Sequence, residues 1–148
     1  MKVREAFHGI TKVFLDTAPV VYYVEAHPTF GEIARTAFTA ISDEQIQAIV
    51  SPVTLAECIA LPIRLGQLDV QKIYKNLLTN TDEISMVDID AAIGEQAAEL
   101  RIRYGFKLPD ALQVSTAIAF GCDAFLTNDA ALKRVKELRT IVLLELES

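Results

Sequence analysis

Cysteine and histidine are scarce in this sequence, and their scarcity removes whole classes of chemistry. Among 148 residues there are two of each: Cys58 and Cys122, His8 and His27. None stands at the short spacing that a zinc site needs. Both cysteines lie in apolar surroundings, which predicts reduced core residues and no disulfide. Glycine is sparse too, six in all, and there is no Gly-rich loop of the kind that cradles phosphates. Long apolar runs are missing: Asp16, Glu57, Arg64 or Asp110 interrupts each one, well short of the ~20 residues of a membrane span. The opening MKVREAFHGI is too short and too charged for a signal peptide, so the expected location is the cytoplasm. No repeat, low-complexity tract or linker divides the chain, and one domain over 1–148 is expected. Positive charge is in the minority. A net charge of −6 speaks against general affinity for nucleic acid. The basic residues nevertheless gather late, at Arg101, Arg103, Lys107, Lys133, Arg134, Lys136 and Arg139, which permits a local basic rim around an acidic centre.

What the chain has in quantity is apolar residues, 51% of the total, enough for a large core or an apolar surface that meets a partner. They fall into short runs separated by helical patterns. Val13-Phe14-Leu15, Ala48 to Ser51, Ile84 to Val87, Ala124 to Thr127 and Thr140 to Leu144 read as strands. Between them, Pro19 suits the opening turn of a helix. Thr29 with Glu32 forms a capping-box pattern for a second helix running toward Ser42. Thr54 with Glu57 forms another such box, and Pro62 is expected to kink or end that helix. Asp69 to Leu78 is helical. Asp90 suits the cap of a helix that runs to about Tyr104 and stops at Gly105. Pro109 suits the first helical position of a last long helix, with Gly121 just past its end, and a short helix begins at Ala130. Strands joined by helical crossovers predict a three-layer α/β/α domain with a central, mainly parallel sheet. Sites in such sheets form at the carboxyl ends of the strands.

Four acids follow those strands. Asp16 comes directly after the first, Glu57 in the first turn of the helix after the second, Asp110 at the start of an otherwise uncharged helix, and Asp129 just after Thr127. Each has an ordinary structural explanation as a cap or as complement to a helix dipole. Capping does not explain the apolar settings "VFLDTAPVVYYV", "VTLAECIALPI" and "LPDALQV". Unpaired carboxylates there cost several kcal/mol unless a positive group compensates, and convergent like charges raise one another's pKa. A hard divalent cation, Mg²⁺ or Mn²⁺, is the economical compensation, and it could activate water for attack on a phosphoryl group.

With those motifs in view, the chain resembles the PIN-domain ribonucleases, in particular the toxins of VapBC-type toxin–antitoxin pairs. The matching stretches are "VFLDTAPVVYYV", "SPVTLAECIALPIRLG" and "LPDALQVSTAIAFGCDAFLTND", which cover the chain from about Val13 to Asp129. The resemblance implies a Mg²⁺-dependent endoribonuclease acting on single-stranded or structured RNA. Asp16 and Asp110 match metal-binding aspartates, and Glu57 matches the helix glutamate that completes the acidic cluster. Asp129 matches the less constant fourth acid, and Thr127 the hydroxyl residue before it. It also implies a homodimer and a small antitoxin partner. Ala18 departs from the family pattern, which places a polar residue two positions after the first aspartate. That departure, together with the acidic net charge, is the sequence support for an alternative, a PIN-like module that binds RNA or protein without cleaving. It also argues against a haloacid-dehalogenase-type phosphatase, which would carry a second aspartate at that position.

Overall fold

In the computed structural model, which describes residues 1–148, five short strands form one sheet. They are β1 (Lys12–Leu15), β2 (Gln47–Val50), β3 (Ile84–Met86), β4 (Ala124–Thr127) and β5 (Arg139–Val142). Their order is β3-β2-β1-β4-β5, and every neighbouring pair is parallel. The expected doubly covered sheet is therefore present, with β1 at its centre and all carboxyl ends at one edge. Alternation along each strand sorts the apolar residues between two faces. Val13, Leu15, Ala48, Val50, Ala124 and Leu126 join one cluster of 23 buried residues. Phe14, Ile49 and Phe125 join a second cluster of 12, in which Phe14 and Phe125 stack across neighbouring strands with centroids 5.2 Å apart. Burying one such ring contributes about 1.5–3 kcal/mol.

The helices form the outer layers. The larger cluster is covered by α1 (Val3–Ala6), α2 (Thr17–Val24), α3 (Gly31–Asp43), α4 (Pro52–Arg64) and α5 (Leu68–Thr79). Its packing is close because α3 turns three alanines, Ala34, Ala37 and Ala40, to the sheet. Buried Tyr74 of α5 donates its hydroxyl to the Glu25 carboxylate just past α2, which ties the two helices together. The smaller cluster is covered by α6 (Ala91–Tyr104), α7 (Leu108–Ala119) and the segment after β4. Cys58 is buried and Cys122 half-buried, both as free thiols. Burial pushes each up to about 12, so neither ionises at neutral pH.

Boundaries differ from expectation where local hydrogen bonds compete. Asp90 caps α6, its carboxylate accepting from Ile93 N–H, and Gly105 stops it at φ +73°, both as expected. Thr29 does not cap α3: the His27 Nδ1 accepts from the N–H groups of Thr29 and Phe30 instead, and the helix begins at Gly31. The capping box of α4 is Ser51 with Thr54, one turn earlier than Thr54 with Glu57. Pro62 lies within the last turn of α4, which ends at Arg64. Neither α1 nor the parallel bridge between Lys2 and Glu147, which joins the two ends of the chain, was legible in the sequence.

Candidate functional site

The acids meet where the topology delivers them, at the carboxyl edge beside β1. Asp16 leaves β1 with its N–H still bonded to the Leu126 carbonyl of β4 at 2.9 Å, so the ladder fixes its backbone. Its carboxylate is held on both sides. Oδ1 accepts from Thr17 N–H at 2.9 Å and Oδ2 from the Thr127 hydroxyl at 2.8 Å. Thr127 Oγ1 in turn accepts from Asp129 N–H at 3.1 Å, and Asp129 Oδ1 accepts from Ala131 N–H at 3.0 Å. On the opposite side, Thr17 Oγ1 donates to Glu57 Oε1 at 2.7 Å, joining α2 to α4. Thr17 thus bridges two of the acids. Its role was not anticipated, although its position directly after Asp16 was a signal. Asp110, in the first turn of α7, accepts no hydrogen bond from the protein.

Electrostatics separates Asp16 and Asp110 from ordinary caps. Burial raises the Asp16 carboxyl to about 6, against the lowering effect of its bonds to Thr127 and Thr17, and Asp110 and Glu57 push it further up. Asp110 is also raised, chiefly by burial and then by Asp129 and Glu57, with Lys107 opposing. All four acids therefore belong to one electrostatic neighbourhood. No ion pair compensates any of them: Arg4 pairs with Asp43 and Glu44, Arg103 with Glu137, and Lys133 with Glu145. Those last two pairs, with Arg134 lying over the Phe106 ring, also tie up much of the expected basic rim. Lys107, exposed at the start of α7, is the cation beside the cluster.

The donor set is all oxygen, anionic and without an ion pair, which suits a hard divalent cation. No three of these side chains close around a single point. Mg²⁺ tolerates this, since it keeps several waters and takes only one or two carboxylates directly.

A family model described as "PIN domain" matches residues 13–138. A comparison with curated protein sequences returned no significant match. Solved structures share the fold at low identity. The VapBC2 complex of Rickettsia felis bound to a promoter DNA fragment aligns with a TM-score of 0.72 at 19% identity, covering 88% of this chain and 98% of that one. A toxin–antitoxin complex from Klebsiella pneumoniae aligns at 0.68 and 19%, covering 88% and 97%. VapC20 of Mycobacterium tuberculosis, described as a sarcin–ricin loop cleaving toxin, aligns at 0.69 and 16%, covering 86% and 98%.

Proposed function

The chain belongs to the PIN-domain family, and from that premise we propose that it is a Mg²⁺- or Mn²⁺-dependent endoribonuclease, the toxin of a toxin–antitoxin pair. The observation that carries this reading is the set of four acids at the carboxyl edge, none of them in an ion pair, with Asp16 gripped by Thr17 and Thr127. Asp16 and Asp110 would hold the cation, with Asp129 acting through water. When bound, such an ion polarises a phosphoryl oxygen and lowers the pKa of water near it. Glu57, fixed at one oxygen by Thr17, keeps its other oxygen free to orient the attacking water and receive its proton. Thr127 holds Asp16 in the orientation this requires, and Lys107 stands ready for the RNA backbone.

The antitoxin partner is supported by the neighbours in fold, several of which are toxin–antitoxin complexes. We take residues 1–148 as one domain that works as a homodimer. Its action is placed in the cytoplasm; separately, no helix is long and apolar enough to cross a membrane. Ala18, which puts no polar side chain beside Asp16, is the observation favouring a non-cleaving binding module. Single-turnover cleavage of a single-stranded RNA in Mn²⁺ decides between the two. Wild type should cleave and chelator should stop it. Asp110→Asn should lose orders of magnitude in rate, while its melting in chelator stays at or above wild type. Equal cleavage by Asp110→Asn would overturn the assignment, and a metal-treated wild type that binds RNA without cutting it would establish the binding module.

A further inference from the structure

Between the helices that carry Glu57 and Asp110 lies an amide that the acid cluster does not explain. Gln113 of α7 is 1% exposed, and its side chain is shared between two hydroxyls at the start of α4. Its Nε2 donates to Thr54 Oγ1 at 2.7 Å, and its Oε1 accepts from the Ser51 hydroxyl. Ser51 and Thr54 are fully buried and already occupied with each other: Thr54 Oγ1 accepts from Ser51 N–H at 3.2 Å, and Ser51 Oγ from Val53 N–H at 3.1 Å. These two bonds of Gln113 are the side-chain hydrogen bonds joining α4 to α7. An apolar side chain of the same volume would fill this place without burying an amide. A buried network in which every polar side-chain atom has a partner does something an apolar side chain cannot, because it fixes one relative placement of the parts it joins.

The placement fixed here is that of the acids. Glu57 stands three residues beyond Thr54, and Asp110 three residues before Gln113. Each acid therefore shares a helix face with one end of the clamp. Resting on the metal-dependent nuclease reading above, we propose that Gln113 is a positioning residue. By holding Ser51 and Thr54 it sets α7 against α4, and with that the distance between Asp110 and Glu57 across the pocket.

The test uses the full chain with Gln113→Met, which keeps length and volume and removes the amide. Mn²⁺ binding is measured by calorimetric titration, and kcat and KM by Mn²⁺-dependent cleavage of a single-stranded RNA. Gln113→Met should still melt cooperatively while Mn²⁺ affinity and kcat each fall about ten- to a hundred-fold, as when groups supporting metal ligands are removed. KM for the RNA should stay unchanged. Thr54→Val should have the same effect, and the double variant should be little worse than either alone, since both break one device. Wild-type Mn²⁺ affinity and kcat in a destabilised Gln113→Met protein would overturn the proposal and leave Gln113 a core residue. Should Gln113→Met fail to fold, Thr54→Val decides alone on the same readings. A wild type that neither binds Mn²⁺ nor cleaves overturns the nuclease reading and the clamp's role with it. Failure of the clamp alone leaves the wild type active.

Discussion

At the scale of single residues, Asp16 shows how one side chain can serve two ends that conflict. As a cap and strand terminus it is well bonded, yet burial and its acidic neighbours hold its carboxyl near 6, above its ordinary 3.8. Between those values the folded chain keeps a proton that the unfolded chain has released. Stability in the absence of metal therefore falls as pH rises through that window. Asp16→Asn removes the titration, so in chelator its melting temperature should gain on wild type between about pH 4 and about pH 7. A difference that does not change with pH would show that Asp16 is not strained by its charge. The four acids were legible in the sequence because charge inside apolar runs is conspicuous. Thr17 and Gln113 were not, because a threonine beside an aspartate and a glutamine in a helix resemble ordinary filler until a partner about 40 or 60 residues away is placed against them.

At the scale of elements, the strands and the long helices were legible because their apolar periods are strong, and β4 spans the expected residues. Errors fell at the ends of elements: β5 stops at Val142, two residues short of the expected Leu144, and at helix starts several groups compete for the same few N–H donors. His27 Nδ1 takes the N–H groups of Thr29 and Phe30 ahead of α3, which starts later than Thr29 predicted, and Ser51 begins α4 before Thr54 could. The turn between α2 and α3 is tight for a related reason. Ala26 sits at φ +49°, and a Cβ on Gly31 would lie 2.9 Å from the Ala26 carbonyl carbon. Gly31→Ala should therefore cost about 1–3 kcal/mol, as overpacking does, read as a lower denaturation midpoint in urea. A midpoint equal to wild type would mean that the turn yields freely.

At the scale of the whole molecule, the parallel sheet is what turns four scattered acids into one site. Every strand ends at the same edge, so residues as far apart in sequence as Asp16 and Asp129 become neighbours with no local signal between them. The order of strands could not be read from the sequence, because it depends on which face each crossover helix covers. The two faces are unequal, with 23 buried residues under one layer of helices and 12 under the other. Asp110 rides on the thinner layer, while Asp16 is anchored to the central strand. Amide hydrogen exchange should expose this difference in dynamics. The α6–α7 layer, with less apolar surface to hold it, should open and exchange more readily than α3. An ion held between Asp16 and Asp110 would bind only the closed arrangement, so Mn²⁺ should slow exchange in α6 and α7 far more than in α3. Uniform protection, or none, would place the ion elsewhere. On this view the cation is a fastener between the two layers, adding to the grip that Gln113 already gives α7 on α4.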